Sequence, residues 1–140
     1  MSPTENYDMN KICDRLRYEL RAKKISNLKA AKDVGVSKDL VYDYTNKNYP
    51  ERSMQVGTLK KFAKYLDKDD YYFCNDYHQF MDTTDVGKIL LEVRGKYNMT
   101  QKQFACYLGI SLTNYKKYET GRCKLPREVY DKLKNEMGFN

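Results

Sequence analysis

The sequence has few of the residues that build metal sites and disulfide frameworks. It contains a single histidine, and its four cysteines are far apart with no CxxC pair. Zinc sites and disulfide frameworks need clustered ligands or recognisable spacings. No metal is therefore expected, and free thiols are the expected state of all four cysteines, which are Cys13, Cys74, Cys106 and Cys123.

The motifs of common active sites are missing as well. The sequence shows no glycine-rich phosphate loop, no paired carboxylates in apolar surroundings, and no cysteine with a histidine at a recognised spacing. The one histidine, His78, is expected to lie at the surface or in an interface. We therefore expect neither an enzyme nor a bound cofactor.

Long apolar runs and strand-like alternation are also missing. No apolar run approaches the ~20 residues that a membrane-spanning helix needs. The first residues, MSPTENYDMN, are polar and lack the apolar core of a signal peptide. We expect no membrane association and a cytoplasmic, nucleoid-associated location. Because apolar residues recur at helical rather than alternating spacing, the expected fold is all-α.

What the chain does have is positive charge. It carries 26 lysines and arginines against 19 aspartates and glutamates, a net charge of +7 over 140 residues. That sign is expected of a protein that binds a polyanion, because basic side chains displace the counterions of phosphate. The length allows one domain or two small ones.

The clearest local pattern is TQKQFACYLGISLTNYKKYETG, which begins at Thr100. Thr100 and Gln103 have the spacing of a capping box, and Gly109 suits the left-handed residue that closes a helix. Ser111 can cap a second short helix. The pattern predicts two short helices joined by a tight turn. Residues at helical spacing should be buried: Phe104, Ala105, Leu108, Tyr115 and Tyr118.

The second of these helices would present short polar and basic side chains to solvent. Its predicted outward residues are Leu112, Thr113, Asn114, Lys116 and Lys117. Such a face on a small basic domain suits the major groove of DNA.

TQxxFAxxLGIS followed by YxxYExG resembles the Cro and phage-repressor (XRE-like) family of helix-turn-helix proteins. The resemblance covers Thr84 to about Met137, with Arg94 and Glu119 among the matching residues. It implies sequence-specific binding to double-stranded DNA as a transcriptional repressor. It also implies a phosphate contact for Gln101 and base contacts for Leu112, Thr113 and Lys117. Backbone or flanking contacts would come from Ser111, Asn114, Lys116, Thr120, Arg122 and Lys124.

The same pattern occurs earlier in the chain, from Ser26 onward. At an offset of 74 positions Ser26 falls on Thr100, and the turn glycine and second capping serine also recur. Upstream, an offset of 73 pairs Leu20 with Val93 and Arg21 with Arg94. We predict two tandem lambda-repressor-like helix-turn-helix domains of four to five helices each, residues 1–82 and 83–140. The DNA contacts of the first copy would be Asn27, Ser37, Lys38 and Lys47.

The two copies differ in charge. Asp39 and Asp43 occupy the positions of Thr113 and Lys117. A carboxylate that faces DNA repels phosphate, although it can accept a hydrogen bond from cytosine. This difference also fits an alternative to DNA binding, a protein-interaction module. The helical domains would then bind a protein partner, as in antitoxins and phage-encoded inhibitors of host defence.

The remaining segments predict connecting and terminal helices. Ser53 is expected to cap a helix that buries Leu59 and Phe62, and Thr83 or Thr84 to cap the first helix of the second domain. The aromatic-rich segment 71–80 would pack the domains together or lie in a homodimer interface, and we expect a homodimer. Residues 1–8 should form a flexible tail, and the last helix should bury Val129, Leu133 and Met137.

Overall fold

The computed structural model describes residues 7–136, and over that range every regular element is helical. It contains nine α-helices and one short 3₁₀ turn, and no strand occurs in the described range. The all-α prediction is confirmed. The chain divides into two compact units, Met1–Gln79 and Phe80–Asn140.

The first unit is built from four helices and the start of a fifth. These are α1 (Ile12–Ala22), α2 (Asn27–Val34), α3 (Lys38–Tyr44), the 3₁₀ turn Glu51–Ser53, α4 (Val56–Tyr65) and the beginning of α5 (Asp76–Thr83). Their inward faces form one apolar core. Its buried members are Ile12, Leu16, Leu20, Ala30, Ala31, Val41, Tyr44, Met54, Leu59, Phe62, Ala63, Leu66, Phe73 and Cys74.

The second unit contains four complete helices. These are α6 (Val86–Lys96), α7 (Gln101–Leu108), α8 (Leu112–Glu119) and α9 (Arg127–Glu136). Its buried apolar residues include Leu90, Phe104, Ala105, Leu108, Tyr115, Leu125, Val129, Tyr130 and Leu133. The inward positions of α9 are thus as predicted for Val129 and Leu133, whereas Met137 lies outside the described residues.

The predicted helix starts are confirmed at four positions. The hydroxyls of Ser26, Ser37, Thr100 and Ser111 each accept a hydrogen bond from the backbone N–H three residues later. The capping box is complete, because the Gln103 side chain accepts from the backbone N–H of Thr100 at 2.9 Å. Gly109 closes α7 with φ +73°, in the left-handed region that glycine adopts at little cost.

Two other predicted caps are wrong. Ser53 ends the 3₁₀ turn, and α4 begins after Gln55, whose side chain makes no capping hydrogen bond. The helix α6 is capped by Asp85 rather than by Thr83 or Thr84, since Thr83 is still part of α5. Asp85 accepts from the backbone N–H of Lys88 at 3.2 Å, and its charge also suits the positive end of a helix.

The internal correspondence keeps a single offset of 74 positions. Both α1 and α6 contain 11 residues, and Lys24 and Asn98 follow them with φ near +59° and +54°. The closing hydrogen bonds run from Ile25 N to the Leu20 carbonyl and from Met99 N to the Arg94 carbonyl. Leu20 therefore corresponds to Arg94, and the predicted upstream offset of 73 is wrong.

The aromatic-rich segment contributes to both cores. Phe73 is fully buried in the first unit, with Tyr71 and Tyr72 packed against its core. Phe80 packs against Tyr130 within the second unit, with ring centroids 4.9 Å apart. A role in a dimer interface stays a prediction.

The predicted N-terminal tail lies mostly outside the described residues, which begin at Tyr7. Tyr7 packs against the first unit. Its ring packs edge-on against Tyr18 with centroids 5.5 Å apart, and the Arg17 guanidinium lies over it.

Candidate nucleic-acid interface

The helix α8 separates a buried side from a solvent-facing side. Tyr115 is fully buried and its ring meets Phe104 edge-on, which fixes α8 against α7. Tyr118 is only half-buried, so its predicted core role holds in part. The exposed residues on α8 are Thr113, Asn114, Lys116 and Lys117, while Leu112 is half-buried at the start of the helix.

A carboxylate at the end of α8 holds this helix in place. Glu119 accepts from Arg94 Nε at 3.2 Å and from Arg94 Nη2 at 3.4 Å, which makes a two-point ion pair with α6. Tyr115 donates its hydroxyl to the same carboxylate at 2.5 Å. The third guanidinium nitrogen of Arg94, Nη1, donates to the Met99 carbonyl at 3.3 Å. The ion pair therefore connects α6, the loop before α7, and α8.

The protonation properties of these groups reflect their mutual contacts. Burial alone would raise the pKa of Glu119, but hydrogen bonds from Tyr115, Gln101 and Arg94 lower it below its ordinary value. Burial and the bond to Glu119 raise the pKa of Tyr115, and the same carboxylate raises that of Arg94. At neutral pH the network consists of a carboxylate, a guanidinium and a neutral phenol.

Gln101 belongs to the same network. Its side-chain amide donates to Glu119 Oε1 at 3.0 Å from the first residue of α7. An amide nitrogen carries two N–H donors. One is used by Glu119, and this contact fixes the direction of the other.

The residues after α8 form an exposed basic flank. Thr120 is the C-cap, and its hydroxyl donates back to the Lys116 carbonyl at 2.8 Å. Gly121 turns the chain with φ +79°, and Arg122 N then bonds the Lys117 carbonyl at 2.8 Å. The side chains of Arg122 and Lys124 are exposed beyond this turn.

The equivalent part of the first unit has a different chemistry. Ser37 caps α3, and Lys38 and Lys47 are exposed, but so are Asp39 and Asp43. Other first-unit residues replace the ion-pair network. Leu20 stands in the position of Arg94 and Thr45 in that of Glu119, and Asn27 makes only a long contact to Thr45 Oγ1, at 3.5 Å.

Sequence reasoning missed two features that position α7 and α8. Lys132 on α9 donates to the Tyr107 carbonyl at 2.6 Å, near the end of α7. Gly87 on α6 lies against the backbone of Glu119. A lysine or a glycine on a helix gives no local signal of such contacts. For the Arg94–Glu119 ion pair, one signal was present in the sequence: both residues match the helix-turn-helix pattern that the chain resembles.

No known family model, curated protein or solved structure matches this chain. Within residues 7–136 no cluster of three or more histidine, cysteine or carboxylate side chains could hold a metal ion. In the same range, no helix combines the length and the apolar character needed to cross a bilayer.

Proposed function

We propose that this protein binds double-stranded DNA in a sequence-specific manner through its second unit and acts as a transcriptional repressor. The observation that carries the proposal is α8 itself. Thr113, Asn114, Lys116 and Lys117 project to solvent from a helix whose opposite side is fixed by Tyr115 and Glu119. A reading helix must be held firmly, because base recognition depends on the position of a few side chains.

In this proposal α8 enters the major groove and its neighbours grip the backbone. Lys117 and Thr113 reach base edges, and Leu112 contacts a thymine methyl group. The second N–H of Gln101 binds a phosphate at the start of α7, where the helix dipole also favours an anion. The flank formed by Arg122 and Lys124 contacts phosphates beside the reading helix.

We further propose that two chains bind together as a homodimer. Two reading helices of this kind contact half-sites about 34–36 Å apart, one turn of the duplex. The carboxylates Asp39 and Asp43 of the first copy make the second units of two chains the better pair of reading heads. Light scattering of the DNA complex should give two chains per duplex. One chain per duplex would contradict the dimer.

The experiment that tests the function is a selection of bound duplexes followed by a salt titration. The full chain should enrich a defined sequence, and log affinity for it should fall steeply with log salt. Each phosphate that the chain neutralises adds a slope of about −0.9. No enriched sequence at low salt, or an affinity that salt does not change, would contradict the proposal.

The second candidate is a protein-interaction module, and one observation in the first unit favours it. Leu28 is 67% exposed and Tyr42 is 64% exposed. They stand in the positions of Lys102 and Lys116 of the second copy. Large exposed apolar side chains at those positions suit a protein surface better than a phosphate backbone.

A further inference from the structure

The first unit contains an open groove that the DNA-binding proposal leaves without a role. Its volume is about 960 Å³. It lies where the end of α1 meets the start of α2 and the outer side of α3. The residues that line it are Arg17, Leu20, Arg21, Lys24, Ile25, Ser26, Asn27, Leu28, Lys38, Tyr42, Thr45 and Asn46.

The charge of this groove has one sign. Four of its lining residues are cationic, and none of the lining residues is acidic. Arg17 already pairs with Asp14 at 3.2 Å, but Arg21 is exposed and bonds none of the described residues through its side chain. Lys24 and Lys38 are exposed as well. Since exposed cations converge on one groove, its occupant should carry negative charge.

Apolar side chains form part of the groove, beside the buried Thr45 and the half-buried Asn27. Leu20 is almost completely buried and Ile25 is half-buried, while Leu28 and Tyr42 stand exposed at the edge. Exposed apolar side chains at the edge, with cations around them, suit an apolar side chain flanked by carboxylates.

The second copy shows why the groove exists. There Arg94 takes the place of Leu20, and its guanidinium bonds both Glu119 and the Met99 carbonyl. Those partners correspond to Thr45 and Ile25, which line the groove in the first copy. In the first copy the shorter Leu20 and Thr45 stand in place of the arginine and the glutamate. The ion pair is therefore missing where the groove lies.

We propose that this groove of the first unit binds an acidic segment of a partner protein. An aromatic or aliphatic side chain of the segment packs on Leu20, Leu28 and Tyr42, and adjacent carboxylates pair with Arg21, Lys24 and Lys38. A nucleic acid is a poorer occupant, because its phosphates would extend along α3 towards Asp39 and Asp43. The site does not depend on DNA binding by the second unit.

The test uses the full chain and a short probe peptide with glutamates on both sides of a phenylalanine. The backbone amide NMR signals of Asn27, Leu28 and Thr45, and the side-chain amide signal of Asn27, should shift on titration at low salt. The same peptide with glutamine for glutamate should bind at least about tenfold more weakly, since charge-assisted hydrogen bonds are roughly twice as strong as neutral ones. Equal binding of the two peptides, or no shift with either, would overturn the proposal.

Matched variants locate the binding. Tyr42→Ala and Arg21→Gln should each weaken the glutamate peptide about tenfold, as removal of a central aromatic or arginine anchor does. Lys64→Gln removes the same charge from an exposed position on α4 outside the groove, and should leave the affinity unchanged. If Lys64→Gln weakens binding as much as Arg21→Gln, the attraction is unspecific and the proposed site is wrong.

A single-stranded oligothymidine, titrated in parallel, decides between the two kinds of polyanion. If it shifts the groove signals more strongly than the glutamate peptide, the groove is a nucleic-acid site and the proposal fails. Lys117→Ala serves to separate the functions, because it should impair duplex binding by the second unit and leave the peptide affinity unchanged.

Discussion

The backbone of Gly87 on α6 lies directly against the carbonyl of Glu119 at the end of α8. A Cβ built on Gly87 would be 2.1 Å from that carbonyl oxygen, far inside van der Waals contact. The added methyl group would meet backbone atoms, which cannot rotate away as a flexible side chain could. The absence of a side chain at Gly87 therefore sets how closely the first helix of the second unit approaches the proposed reading helix.

Gly87→Ala should destabilise the second unit, because α6 and α8 must separate to admit the methyl group. Overpacking of this kind typically costs about 1–3 kcal/mol. Gly95→Ala, on the same helix, meets nothing within 4 Å and should stabilise the unit by up to about 1 kcal/mol through helix propensity. Thermal unfolding of both variants checks the pair. Equal effects of the two substitutions would contradict the close approach.

Glu119→Gln should destabilise the second unit at neutral pH by about 1–3 kcal/mol, since Arg94 loses its charged partner. The folded state lowers the pKa of Glu119 from its ordinary value of 4.5. The carboxylate's stabilisation is therefore complete above that value and is lost as the pH falls through the lower, folded-state pKa. The difference in the free energy of unfolding between wild type and Glu119→Gln should become smaller in that acidic range.

Urea unfolding from pH 7 downward measures this difference. Glu92→Gln is the matched control, because Glu92 is an exposed residue of α6 in the same unit. It should change the stability little at any pH. If the free energies of unfolding of wild type and Glu119→Gln differ by a constant amount down to strongly acidic pH, the charge of Glu119 does not stabilise the fold.

The sequence predicts those features of the fold that depend on contacts between residues close together in the chain. The caps at Ser26, Ser37, Thr100 and Ser111 were predictable because a capping hydroxyl bonds a backbone group only three residues away. The start of α6 was not, since three adjacent residues, Thr83, Thr84 and Asp85, can all cap a helix. Which of them does so depends on where α5 ends.

The register of α1 shows a second limit. The alignment of Leu20 with Val93 places one apolar residue on another. Apolar character alone does not fix the alignment, because neighbouring positions on a helical face can both be apolar. Only the three-dimensional closure of the helices shows that Leu20 matches Arg94. The outward residues of α8 followed from periodicity, whereas its fixation by Glu119 and Gly87 depends on contacts between helices far apart in sequence.

Glu51→Ala should destabilise the first unit by about 1–3 kcal/mol. The carboxylate of Glu51 accepts from the buried Ile12 N–H at 2.8 Å and from Asn75 Nδ2 at 3.1 Å, so truncation leaves the start of α1 without this acceptor. Ser53→Ala is the control, since Ser53 caps no helix. Denaturant unfolding should show little change for it, whereas a loss of about 1 kcal/mol would indicate a capping role after all.

The last prediction separates base reading from backbone contact in the proposed DNA complex. Lys117 projects from α8 itself, and Arg122 lies beyond the turn at Gly121. Lys117→Ala should cost about 1–3 kcal/mol on the selected sequence and relax the preference at one base pair. Arg122→Ala should weaken all sequences about equally and reduce the salt slope by about one.

The first copy supplies the control for that prediction. Asp43 corresponds to Lys117, and it is exposed on α3. Asp43→Ala should leave the DNA affinity unchanged or raise it, because the variant loses a charge that repels phosphate. Selection of bound duplexes and salt titration of all three variants provide the measurement. If Asp43→Ala abolishes specific binding and Lys117→Ala has no effect, the first unit reads the DNA and the proposed assignment of the two units is reversed.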